Sequence, residues 1–210
     1  GTVMIGHLGM SGSFRIDKIP VEEPDKHDHV IFDTHTGIRV RYHDPRRFGF
    51  MLLTTEEALE DHPQIRGIGP EPLGNDFNGP VLAARLAGKK GPIKTALLDQ
   101  KVVAGVGNIY ACEALHRSGI SPKRTAGTIS GKRADRLSAS VRTVLEEAIR
   151  SGGSTLRNYS STSGELGYFQ HRFQVYDKED SPCPKESCSG TIARITQAGR
   201  STFFCSRCQR

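Results

Sequence analysis

Four of the five cysteines in this 210-residue chain crowd into its last 28 residues. Four residues separate Cys183 from Cys188, two separate Cys205 from Cys208, and sixteen lie between the pairs. Two close thiolate pairs, each in a tight turn beside a short strand, can converge on one tetrahedral ion, as in a zinc ribbon. A pair of disulfides fits poorly, because residues 1–6 hold no basic segment followed by an apolar one. Redox chemistry at Cys205-Ser206-Arg207-Cys208 fits poorly too, since no βαβ pattern precedes it. The expectation is one structural Zn2+ held by Cys183, Cys188, Cys205 and Cys208, with every ligand position taken by protein. So short a segment has little core of its own, so the metal would supply much of its folding free energy. The fifth cysteine, Cys112, stands in the apolar run Tyr110-Ala111-Cys112-Glu113-Ala114-Leu115 and reads as core.

Charge marks a second chemistry. The net charge is +6, but residues 1–80 carry 8 Lys/Arg against 13 Asp/Glu, whereas residues 81–150 carry 13 against 5. Basic charge gathered in the middle of a chain of pI near 9.2 suits a polyanion partner or a solvated basic face. Hydrophobic residues at 36% and charged residues at 25% describe a globular protein and exclude a disordered or fibrous one. Apolar stretches such as Met51-Leu52-Leu53 are far too short to cross a bilayer, so no membrane association is expected.

The elements that must position these groups change character along the chain. Residues 2–8, 29–33, 38–42 and 48–53 are rich in Val, Ile, Phe and Tyr and bounded by turn residues, which predicts strands, with a hairpin closing at Thr36-Gly37. Residues 62–80, dense in Gly and Pro, predict a connector. Helices follow at 93–100, from Pro92, and at 109–117, opened by the turn Gly105-Val106-Gly107-Asn108. A third, capped by Ser130, repeats Leu137, Val141, Leu145 and Ala148 at helical spacing until Gly152-Gly153. Short strands at 173–176, 192–195 and 202–204 flank the cysteines. The organisation is a strand-rich 1–65, a linker at 66–80, a helical 81–172 and a ribbon at 173–210.

Five blocks carry a resemblance: His7-Leu8-Gly9-Met10-Ser11-Gly12, Asp44-Pro45-Arg46-Arg47-Phe48-Gly49, Gly69-Pro70-Glu71-Pro72-Leu73, Val106-Gly107-Asn108-Ile109-Tyr110, and Gly199-Arg200-Ser201-Thr202 through to Gln209. In order and across essentially the whole chain, they resemble bacterial formamidopyrimidine-DNA glycosylase. The resemblance implies an α+β multidomain fold: an N-terminal β-sandwich, a helix–two-turn–helix domain and a C-terminal zinc-ribbon β-hairpin. It also implies a cytoplasmic, nucleoid-associated monomeric repair enzyme that acts on damaged double-stranded DNA. Such an enzyme removes 8-oxoguanine and ring-opened purines, then nicks the abasic strand by β,δ-elimination. Members of the family begin with a proline nucleophile followed by glutamate, and an N-terminal-domain lysine assists elimination. This sequence starts at Gly1-Thr2, inside the first strand, so the sandwich is expected to be incomplete and this stretch alone inactive in excision.

The resemblance also distributes roles. Extruding a base leaves a void, and Met10, Arg46 and Phe48 match the positions that fill it: a flexible thioether, a planar cation able to hydrogen-bond the widowed base, and an aromatic wedge. Without the motif, Met10 and Phe48 would read as core. Lys90 and Lys94 are expected at phosphates, and Asn108 at a helix mouth where backbone N–H groups favour an anion or where it simply caps the helix. His27 matches a further DNA-contacting position. Arg200 corresponds to a residue with a catalytic role in δ-elimination, where its guanidinium suits electrostatic stabilisation of phosphate better than proton donation. The segment 160–168 corresponds to the loop that closes over the extruded base. The sibling endonuclease VIII type, which acts on oxidised pyrimidines, and a non-enzymatic nucleic-acid-binding module are the alternatives; the intact Asp-Pro-Arg-Arg-Phe-Gly run favours the purine enzyme.

Overall fold

The computed structural model describes residues 1–9, 11–18, 23–154 and 167–210. Met10 and residues 160–166 of the expected closing loop therefore lie outside the described residues. Backbone contacts divide the chain into two compact units, Gly1–Arg66 with Ser151–Gln170, and Gly67–Arg150 with His171–Arg210.

The first unit is built from strands. Strands β1 (Thr2–His7) and β5 (Phe50–Thr55) pair antiparallel, with Ile5 opposite Leu52. A three-stranded sheet runs in the order β2 (Ser13–Lys18), β4 (Ile38–His43), β3 (Asp28–Asp33). The β3–β4 hairpin turns where Gly37 takes a positive φ of 77° and its N–H donates to the Thr34 carbonyl. Strand β2 is an element that the sequence reading left out. It is held partly by charge, because Arg41 on β4 bridges Asp17 at 2.7 Å and Asp28 at 2.9 Å. Among the strand hydrophobics of this unit Ile5 and Tyr42 are buried, whereas Ile16 and Leu53 stand 54% and 73% exposed. A short helix α1 (Glu56–Leu59) follows, capped by the Thr55 side chain, which accepts from the Ala58 N–H.

The second unit is helical with a hairpin. Helix α2 (Gly79–Leu86) emerges from the turn-dense stretch read as linker. Asn78 caps it by accepting the Val81 N–H, and Pro80 sits in its first turn. Helix α3 (Ile93–Leu97) and helix α4 (Asn108–Ser118) are joined by residues 98–107, which turn at Gly105. Helix α4 ends at Gly119 in the left-handed conformation that a glycine adopts without a Cβ clash. Helix α5 (Lys132–Arg150) buries Leu137, Val141, Val144, Leu145 and Ala148 along one face, the 3.6-residue stripe legible in its sequence. The core gathers Leu82, Leu86, Ile93, Leu97, Val103, Leu115 and Leu137, all at 0% exposure.

Strands β6 (Ile192–Gln197) and β7 (Arg200–Cys205) close the chain as a hairpin. Ile192, Phe203, Cys183 and Cys205 of the ribbon share one hydrophobic cluster with Cys112 of α4 and with Val175. Cys112 is core, as its apolar context suggests, with 1% of its surface exposed. Residues 173–176, expected as a strand, form none. Their amides go elsewhere: Gln174, Val175 and Tyr176 all donate to the Glu113 carboxylate, at 2.9, 3.0 and 2.9 Å. That buried acid on α4 replaces a neighbouring strand as the acceptor.

Candidate DNA-interaction and zinc sites

The four ribbon cysteines converge. Their sulfurs lie within 4.8 Å of one another, with Cys183 to Cys208 at 3.8 Å and Cys188 to Cys205 at 3.7 Å. A tetrahedron of thiolates around zinc, with Zn–S near ~2.3 Å, places its sulfurs about 3.8 Å apart. A disulfide would bring a pair to about 2.0 Å. The donor set and spacing therefore fit one closed structural zinc. Gly190 completes the cradle: its carbonyl accepts from the Cys183 N–H at 2.8 Å, and a Cβ there would stand 2.6 Å from the Cys205 sulfur. Burial works against ionising Cys205, but the backbone N–H groups of Cys208 and Arg207 and the nearby thiols prevail and lower its pKa to about 7. Beyond the ligands, His116 of α4 sets Nε2 3.5 Å from the Cys183 sulfur while Nδ1 lies 3.0 Å from Gln174 Oε1. Such an outer contact orients a metal-bound thiolate. Neither Gly190 nor His116 was marked by cysteine spacing, since neither belongs to a cysteine pair.

The basic residues of the same unit sort into exposed and buried ones. Lys90 is exposed ahead of α3. Arg200 is exposed at the first position of β7, beyond a two-residue turn in which Ala198 and Gly199 have φ of 47° and 72°. Positive φ at both central residues is the turn whose twist suits a hairpin. Lys94, expected at a phosphate, is 0% exposed, and its Nζ has no hydrogen-bond partner among the described residues. Burial, above all, pushes its ammonium pKa down, with Arg200 acting in the same direction. Asn108 does not cap α4. Gly107 occupies the cap position without a side-chain bond, and Asn108 is the first helical residue. Its Nδ2 donates to the Ser201 carbonyl at 3.0 Å and to the Tyr176 hydroxyl at 3.4 Å, tying the mouth of α4 to the β7 strand. The first turn closes with Ala111 N–H on the Gly107 carbonyl, so the amides of Asn108 and Ile109 stand ahead of it.

In the strand unit, Arg46 and Phe48 project together. Phe48 is 56% exposed, which rules out the core reading, and the Arg46 guanidinium carbon lies 4.6 Å from its ring centroid. Arg47 between them adopts φ of 55°. The turn is organised by Asp44, a residue quoted in the motif but given no role from sequence. Its carboxylate is 1% exposed and accepts Ser11 Oγ–H at 2.6 Å, Gly49 N–H at 2.8 Å and Tyr42 O–H at 3.0 Å. Burial opposes its charge, yet these donors overcome it and lower the pKa to about 2. Burial, then the Asp44 bond, raises the Tyr42 phenol to about 12. Gly9 packs directly on this turn: a Cβ there, where φ is +64°, would meet the Phe48 carbonyl carbon at 2.7 Å. His27 is half-buried, its ring edge-on to His43 at 5.8 Å, and His43 Nδ1 lies 2.9 Å from Asp28.

In chain order, a strand unit with a projecting cation–aromatic pair is followed by a helical unit and a cysteine-built metal ribbon. Three family models match in series: the formamidopyrimidine-DNA glycosylase N-terminal domain over residues 1–51, its H2TH domain over 68–160, and the zinc finger found in FPG and IleRS over 180–210. A formamidopyrimidine-DNA glycosylase of Beijerinckia indica is 58% identical over 99% of this chain and 76% of its own length, and one from Chelativorans sp. is 53% identical over 100% and 78%. The crystal structure of MutM (Fpg) from Thermus thermophilus superposes with a TM-score of 0.85 at 40% identity, covering 100% of this chain and 76% of that one. Lactococcus lactis Fpg in complex with abasic-site DNA gives 0.85 at 33% identity, covering 100% and 75%. The chain belongs to the formamidopyrimidine-DNA glycosylase family, and its ribbon carries one structural zinc. No helix of the described residues is long and apolar enough to cross a membrane.

Proposed function

We propose that this chain serves base-excision repair of oxidised purines, 8-oxoguanine and formamidopyrimidines, in a glycosylase that also cleaves the abasic strand by β,δ-elimination. One observation carries the reading: Arg46 and Phe48 stand exposed and stacked on each other, on a turn held by a buried carboxylate. An exposed aromatic of this kind does little for stability and suits a wedge that replaces an extruded base. The guanidinium beside it matches the hydrogen-bonding edge of a base left without its partner. Met10, in the His7–Gly12 block and outside the described residues, is assigned to the same inserting group by the resemblance.

The helical unit supplies phosphate contacts. Lys90 offers an exposed ammonium, and the mouth of α4 offers backbone N–H groups beside Asn108. Lys94 acts from within, because a buried ammonium with no hydrogen-bond partner among the described residues favours an incoming anion near it. Arg200, carried on the zinc-held hairpin, stabilises charge at a phosphate during the elimination steps, and His27 adds a contact from the strand unit. The protein works on chromosomal DNA in the bacterial cytoplasm, nucleoid-associated and as a monomer.

The test is a strand-cleavage assay of the protein carrying this chain, on duplexes containing 8-oxoguanine or thymine glycol. Preferential cleavage at 8-oxoguanine is expected. Preference for thymine glycol would transfer the protein to oxidised pyrimidines and overturn the reading.

A further inference from the structure

The geometry points to Asp44 as the residue that positions the inserting pair: one buried carboxylate pins the Arg46–Phe48 turn at both ends and ties it to the neighbouring turn at Ser11. This rests on reading Arg46 and Phe48 as the groups that fill the vacated stack.

The connections run outward from a single acid. At one end of the turn, Asp44 Oδ2 accepts the Gly49 N–H directly. At the other, Oδ1 accepts the Ser11 hydroxyl, and Ser11 Oγ in turn accepts the Arg46 N–H at 3.3 Å. Tyr42 donates to Oδ2 from β4, so the carboxylate is anchored to the sheet as well as to both turns. Its own backbone is held too: the Asp44 N–H donates to the His27 carbonyl at 3.0 Å, and His29 Nε2 lies 2.9 Å from the Asp44 carbonyl oxygen. Between the pinned ends lies Arg47 in the left-handed region, a conformation that persists only where its surroundings impose it. The close packing of Gly9 on Phe48 leaves the adjoining turn little room to shift independently.

An arrangement of this kind fixes the plug before DNA arrives. The ordering of an arginine and an aromatic ring, otherwise lost at each insertion, is met in folding. Asp44 touches no base. Its effect reaches DNA through Arg46 and Phe48, and only where a base has left the stack. It should therefore govern preference for a gap over intact duplex and leave general electrostatic affinity alone.

Asp44→Asn, of the same shape, keeps one acceptor oxygen but turns an amide N–H toward at least one former donor. Ser11→Ala removes the link between the turns and the acceptor of the Arg46 N–H while keeping the carboxylate, and serves where Asp44→Asn fails to fold, as judged by its circular dichroism and melting. The probes are duplexes with a tetrahydrofuran abasic analogue or an intact pair at the same place, with 2-aminopurine opposite as a reporter of stacking. Each variant should lower the affinity ratio for abasic over intact duplex about tenfold, the effect of one charge-assisted hydrogen bond, with the intact-duplex affinity and salt slope unchanged. The 2-aminopurine signal at saturation should shift toward that of Phe48→Ala, and Asp44→Asn combined with Phe48→Ala should lose little more than Phe48→Ala alone. If Phe48→Ala and Arg46→Ala lower the ratio while folded Asp44→Asn and Ser11→Ala do not, the positioning role is overturned. If Arg46→Ala and Phe48→Ala themselves leave the ratio unchanged, the insertion reading fails instead.

Discussion

Glu113 offers a sharp test of how the ribbon is joined to the helices. It is 0% exposed on α4, and its two oxygens take three backbone N–H groups: Oε2 from Gln174, Oε1 from Val175 and Tyr176. Glu113→Gln preserves shape but leaves one carbonyl oxygen. Set toward Val175 and Tyr176, that oxygen makes neutral bonds where charged ones stood, a loss of about 0.5–1 kcal/mol each on the usual difference between the two kinds. The new amide then faces the Gln174 N–H donor to donor, and leaving a buried donor unmet costs about 1–3 kcal/mol. Relief from burying a charge offsets part of the sum, so a net loss of about 2–3 kcal/mol is expected. For a chain of this size that lowers Tm by about 5–10 °C. Calorimetry and urea unfolding at fixed, saturating zinc would measure it. Hydrogen exchange should rise first at the Val175 and Tyr176 amides. A loss under about 0.5 kcal/mol, well below the value of one buried bond, would show that the three contacts do not join α4 to the ribbon.

Metal analysis should find one zinc per chain and none in Cys205→Ser. Gly190→Ala should bind zinc more weakly, because its Cβ would fall 2.6 Å from the Cys205 sulfur, and full retention in either variant would contradict the cradle. Lys90→Ala should flatten the log–log dependence of DNA affinity on salt by about one unit whatever the sequence, and an unchanged slope would remove Lys90 from the phosphates. On acidification the folded Asp44 holds its charge down to about 2, whereas the unfolded chain takes up the proton near 3.8. Its stabilisation is thus complete above 3.8 and lost as pH falls through about 2. Acid unfolding of Asp44→Asn should be the less pH-dependent over that window, and identical slopes would refute the assignment.

The ribbon was legible in sequence because its chemistry is local. Thiolate spacing within two turns is enough to specify a tetrahedral site, and Cys183, Cys188, Cys205 and Cys208 close on one point as that spacing requires. The α5 stripe and the hairpin at Gly37 were readable for the same reason, being patterns of 3.6 residues and of a single turn. The resemblance proposes Arg46 and Phe48 as the inserting pair, but the motif does not say what holds their turn. Asp44, Ser11 and Tyr42 span 33 positions of sequence, and no periodicity connects them. Residues 173–176 read as a strand because their side chains suit one, yet their amides found a carboxylate 61 to 63 positions away. Lys94 was expected at a phosphate, and only the packing of α3 shows its side chain enclosed. Local spacing therefore determined the metal site and the long helix, while Arg46 and Phe48 were assigned to insertion only by the resemblance. Tertiary structure alone decided which buried acids satisfy distant backbone donors, since that depends on which segments the fold brings within 3 Å.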